Sequence, residues 1–259
     1  MYTGFNLTFN EKSPYGAQLV RQYGSGEKYQ ARKKGAREHI SSYLKNGAID
    51  ARKLQEAWFQ SVNSNIFISH SHADEEVAIA LAEVLEVQLG LRCFVDSCVW
   101  GNAEALLKEI DNEYCRRPSG DVYDYDRRNQ STSHVHMMLQ GALAKMIDRT
   151  ECIIFLNTPR SMVTDDELRN DSLTGSPWIY SEVLTTRLIE KQRPKRPLKT
   201  YLRESLESEK VAMDSMPPFY HDLDLSHLEK LSMTDFSKWL STNTRGEAAL
   251  DALYEFKRV

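Results

Sequence analysis

Trp178 and Glu182 stand four residues apart in a segment with helical spacing, so they share a helix face. An indole there can stack on a flat ring while the single carboxylate hydrogen-bonds sugar hydroxyls; a core tryptophan beside a surface glutamate meets the same spacing. Two His-x-His pairs, His70/His72 and His134/His136, have the residue types of a metal site. The second begins a helix, where positions i and i+2 do not face the same way, and no metal is expected. Gly24-x-Gly26 lacks the preceding strand and third glycine of a dinucleotide fingerprint and reads as a turn. Tyr123, Tyr125, Arg127 and Arg128 lie in a polar stretch, where they either gate a pocket or cover a surface loop.

The elements that must position these residues are legible from hydrophobic period. Ile66-Phe67-Ile68 is a short continuous apolar run, suited to a strand covered on both faces. Ser69 to Asp74 then leads into a helix whose Val77, Leu81, Leu85 and Leu89 repeat every fourth residue, and Gly90 ends it. Cys93-Phe94-Val95 and Cys152 to Leu156 are further buried strands, and Ser176-Pro177 is a helix start with Ser as N-cap. Alternation of strand and helix argues for a parallel sheet. Ligands of such sheets sit at the carboxyl ends of the strands, where three polar clusters converge: Ser69–His72, Asp96–Gly101 and the loop before Trp178.

Elsewhere, Ala103, Leu106, Leu107 and Ile110 predict a helix. Residues 115–133 read as a long loop without period, and Met138 to Ile147 restore a helical face. Residues 1–63 read as a helical extension, basic between Arg21 and Lys53, with Ile40, Leu54 and Trp58 on its apolar stripe. Past the Arg193–Pro197 break, strands are expected at 198–202 and 219–223, and helices at 204–212, 226–240 and the C-terminus.

The 259 residues carry 33 Lys+Arg against 37 Asp+Glu, a net charge of -4 that gives no reason to expect nucleic acid as partner. No apolar run is long enough for a membrane helix or a signal peptide. Cys93, Cys98, Cys115 and Cys152 form no CxxC pair and are expected as buried free thiols of a cytoplasmic protein.

Asn65-IFISHSHADEE, then GLRCFVDS, then SPWIYSE, in this order, resemble the bacterial, NAD-cleaving branch of the TIR (Toll/interleukin-1 receptor) domain family. The resemblance covers about residues 64–192 well and 198–240 loosely. It implies a flavodoxin-like fold of about five parallel strands with helices on both faces, spanning residues 64–259, with an insertion at about 115–148. Carried over, Glu182 is the catalytic acid and Trp178 its neighbour. His70, Ser71 and His72 line the substrate site. Asp96 to Gly101, with Trp100, match the start of the BB loop, which gates the site and takes part in assembly. By resemblance the substrate is NAD+, no cofactor is needed, and a homo-oligomer assembles through the BB loop. The product, a cyclic, conjugated or linear ADP-ribose, signals to a separate effector in Thoeris-type antiphage defence.

The chemistry fits that assignment. Losing nicotinamide builds positive charge on the anomeric carbon, and a carboxylate against the ribose stabilises it. Glu182 is expected as an exposed carboxylate at a pocket mouth, contributing little to stability. Two other readings stand beside this one: a catalytically silent TIR interaction module, and a deoxyribosyltransferase-like enzyme with related single-carboxylate chemistry.

Overall fold

The computed structural model describes residues 1–26, 29, 39–45, 48–100, 102–118, 122–162, 173–196 and 219–259. The fold is α/β, built on a five-stranded parallel sheet flanked by helices. Its strands are β1 (Thr3–Thr8), β4 (Ile66–Ser69), β5 (Cys93–Phe94), β6 (Cys152–Asn157) and β9 (Glu229–Leu231), in the order β5-β4-β6-β1-β9. Every pairing in it is parallel.

This order is consistent with the flavodoxin-like arrangement 2-1-3-4-5, with one change of connectivity. If β4, β5 and β6 are its first three strands, the fourth place is filled by β1, the first strand of the chain. Residues 1–63, expected as a helical extension, therefore supply an interior strand. The reason is visible in their pattern: Phe5, Leu7 and Phe9 alternate with Asn6 and Thr8, and all three are buried. The ladder runs Thr3↔Cys152 to Thr8↔Asn157 on one side and Phe5↔Glu229 to Leu7↔Leu231 on the other. At Gly4 the neighbours leave no room for a side chain: a Cβ would meet Leu228 Cδ2 at 2.5 Å and Ile153 Cγ2 at 2.7 Å.

The chain divides into two compact units. The first comprises residues 1–28, 63–95 and 147–259 and holds the whole sheet. It also contains α1 (Pro14–Tyr23), capped by Ser13 Oγ, which accepts from the Gly16 amide at 3.0 Å, and Gly24 ends it. α3 (Glu75–Leu89) buries nearly its full apolar circumference and ends at Gly90, whose φ of +66° is the left-handed conformation that favours glycine. α7 (Pro177–Leu188) starts at the expected Ser176 cap. α8 (Met233–Leu240) opens with a reciprocal Ser232/Asp235 capping box, and α9 (Glu247–Lys257) closes the chain. The predicted helix at 226–240 is thus β9 followed by α8. The predicted strand at 219–223 is β8 (His221–Asp222), antiparallel to β7 (Leu173–Thr174). The segments expected at 198–202 and 204–212 lie outside the described residues.

The second unit comprises residues 29–62 and 96–146. It holds a short antiparallel pair, β2 (Leu44–Lys45) with β3 (Ala48–Ile49), then α2 (Ala51–Trp58), the single turn α4 (Asp96–Val99), α5 (Ala103–Tyr114) and most of α6 (Tyr125–Arg149). The stretch 115–133, expected as an aperiodic loop, closes through an Arg116↔Tyr123 bridge and then enters α6, which absorbs the expected helix at 134–148 as its second half. Asp111 organises this unit: it is 3 % exposed, accepts from Ser131 Oγ at 2.7 Å and pairs with Arg128 Nε at 2.9 Å. All four cysteines are free and buried. Among the described residues, no helix is long and apolar enough to cross a membrane.

Candidate functional site

Glu182 sits on the second turn of α7, and its position is fixed by the sheet. Ser69, the last residue of β4, donates its hydroxyl to Glu182 Oε2 at 2.5 Å. Both residues are buried: Ser69 is 1 % exposed and Glu182 is 3 % exposed. This corrects the expectation of an exposed carboxylate. α7 packs its Glu182 face inward, with Ile179, Val183 and Thr186 also buried. A carboxylate held in so little water interacts strongly with any charge placed beside it. Trp178, one turn earlier, is half-buried.

The residues after β4 divide their roles. His70 is half-buried, and its Nδ1–H donates to the Ile68 carbonyl at 3.3 Å, which orients the ring. Ser71 is buried, and its hydroxyl goes to Asp74 Oδ2 at 2.5 Å, so Ser69 rather than Ser71 is the serine on Glu182. His72 is exposed and opens a short 3-10 turn, His72–Asp74.

Asp74, entirely buried, is the hub of a brace across three loops at the carboxyl edge. Its Oδ2 also accepts from Thr158 Oγ1 at 2.6 Å, after β6, and its Oδ1 pairs with Arg160 Nε at 2.6 Å. Arg160 Nη2 reaches Glu11 Oε2 at 2.5 Å, after β1. The hydrogen bond to Asp74 is the main reason that the Arg160 guanidinium is held above its ordinary range. Ser161 and Thr158 cap one another, and the Ser161 carbonyl accepts from Thr174 Oγ1, which in turn accepts from the amide of the α7 cap, Ser176. The start of α7, and hence Glu182, is anchored through this chain.

Asp96 and Trp100 belong to the second unit. Asp96 is half-buried at the head of α4. Trp100 is 6 % exposed, donates its indole N–H to the Gln60 carbonyl at 2.8 Å and packs edge-on against Phe59, so its ring is core there. Gly101 lies outside the described residues. Tyr123 donates to Asn112 Oδ1 at 2.6 Å beneath Arg116 and Arg128, and Arg127 donates to the Tyr114 carbonyl. Their contacts hold the base of α6. His134 and His136 are both exposed on α6, and among the described residues no three His, Cys, Asp or Glu cluster as metal ligands.

Thr158 and Arg160 escape motif reading, and Ser69 and Asp74 lie within the motif after the first core strand without their roles being legible, because each takes its meaning from a partner far along the chain. Asn6 escapes it too. It lies on β1 in the row Ser69↔Phe155↔Asn6, and its Oδ1 is buried and accepts no hydrogen bond among the described residues. The sequence signal at this position is the alternation around it.

A comparison with protein-family models, with curated proteins and with solved structures returns no significant match.

Proposed function

We propose that this chain cleaves NAD+ at the nicotinamide–ribose bond, with Glu182 as the carboxylate that faces the ribose. The observation that carries this reading is a buried acid at the carboxyl edge of a parallel sheet, oriented by Ser69 and one helical turn from Trp178. The bond from the anomeric carbon to the pyridinium nitrogen breaks, and its electron pair returns to the ring, which departs neutral. Positive charge developing on the ribose is stabilised by the ionised Glu182, whose low-water surroundings strengthen that interaction. Water attacking the anomeric carbon gives linear ADP-ribose and releases one proton. Attack by an adenine nitrogen or another acceptor, with water kept out, gives a cyclic or conjugated product. Because Glu182 is 3 % exposed, this reading requires the site to open before substrate reaches it. Release of the product to a separate effector, as an antiphage signal, extends the same reading.

The same burial favours a second reading, in which Glu182 is a structural acid bracing β4 to α7 in a non-catalytic interaction module. NAD+ consumption with product mass analysis, on wild type and Glu182→Gln, separates them. Nicotinamide release that Glu182→Gln abolishes while the fold persists supports the enzyme. No release by concentrated wild type, alone or in extract of phage-infected cells, with a large stability loss in Glu182→Ala, supports the brace.

A further inference from the structure

The row that contains Ser69 carries a second polar group. Parallel register pairs Ser69 with Phe155 and Phe155 with Asn6, so the three side chains leave the same face of the sheet. Two strand spacings separate Ser69 from Asn6, about 10 Å between backbones. Ser69 gives its hydroxyl to Glu182, whereas the buried Asn6 Oδ1 accepts from no group among the described residues. The interior strand places Phe5 and Leu7, both 0 % exposed, on the opposite face. An apolar side chain of the same size would avoid the cost of an unpaired carbonyl oxygen there, so an acceptor left open by the described residues suits a donor carried by a ligand.

We infer that Asn6 is a substrate-binding residue, its Oδ1 accepting an N–H of the primary carboxamide on the leaving ring. This rests on the proposed NAD+ reading. With the ribose against Glu182, the ring's carboxamide is the amide donor nearest the scissile bond, and Asn6 stands two strands from Ser69 in the same row. A primary carboxamide and an asparagine side chain match donor to acceptor. A site built around a substrate N–H disfavours an analogue without it, because the acceptor is then left unpaired.

The test compares kcat/KM for NAD+ and for the analogue in which an acetyl group replaces the carboxamide, using the full chain as wild type, Asn6→Leu and Asn6→Ala. Differences in leaving-group reactivity cancel when the substrate ratio is compared between variants. Wild type prefers NAD+ by roughly 10- to 100-fold more than either variant, with turnover of the acetyl analogue nearly unchanged. Equal loss on both substrates, or no loss on either, in a variant that keeps its circular dichroism spectrum overturns the inference and leaves the NAD+ reading standing. Should Asn6→Leu fail to fold, Asn6→Ala carries the comparison. Wild type that turns over neither dinucleotide overturns both.

Discussion

Removing residues 2–10 tests whether the start of the chain is core or appendage. Phe5 and Leu7 are 0 % exposed and Phe9 is 2 % exposed. Full burial of such a side chain contributes about 1.5–3 kcal/mol, so the three together contribute roughly 4.5–9 kcal/mol. The ladders to β6 and β9 vanish with them. A domain's whole stability is about 5–15 kcal/mol, so the truncated chain is expected to lose its cooperative unfolding transition in urea, followed by far-UV circular dichroism. Phe5→Ala grades the effect. It leaves a cavity against Tyr254, whose ring stacks on Phe5 at a 6.4 Å centroid distance. It should cost about 3–5 kcal/mol, or roughly 6–20 °C in Tm. A truncated protein with the wild-type midpoint and denaturant slope would refute the assignment of β1 to the sheet interior.

Two further outcomes follow from charged groups. Arg160→Met strips the buried Asp74 of its cation but leaves the Ser71 and Thr158 hydroxyls on it. Since Arg160 is itself 40 % exposed, the loss should be about 1–3 kcal/mol by urea denaturation; an unchanged midpoint would show that the brace contributes nothing. At the start of α8, burial pushes the Asp235 carboxyl up, but the Lys257 ammonium and the Ser232 capping bonds outweigh it and hold the pKa below the ordinary carboxylate range. A lowered native pKa means stability present above about pH 4 and lost as pH falls through the native value. Asp235→Asn should therefore flatten the acid limb of a Tm-against-pH curve, and an identical limb in both proteins would contradict this.

Strands β4 and β6 and helix α3 were legible because each buries an uninterrupted or regularly spaced apolar set, from Ile66 to Ile68, Cys152 to Leu156, and Val77 to Leu89, and helix α7 because Ser176-Pro177 marks its start. Helix α6 was legible only in its second half. Its first turns, Tyr125 to Gln130, are exposed, so no apolar stripe marks them. The six-residue β1 alternates plainly but precedes the stretch that carries the family resemblance. Its place between β6 and β9 depends on pairings no local pattern encodes. Glu182 was legible as a candidate from its spacing to Trp178. Its burial was not, because that follows from Ser69, across 113 positions of sequence separation.

The place of β1 also sets an order of events while the chain is being made. Thr3 is made well before its partner Cys152, and Phe5 waits longer still for Glu229. At about 5–20 residues per second, the first wait alone is on the order of ten seconds. Throughout it, a nascent segment alternating Phe5, Leu7 and Phe9 has no strand to pair with and is a template for pairing with other chains. Shielding of that segment during synthesis is therefore expected to matter for yield, and depleting chaperones is expected to lower it even when the finished sheet is stable.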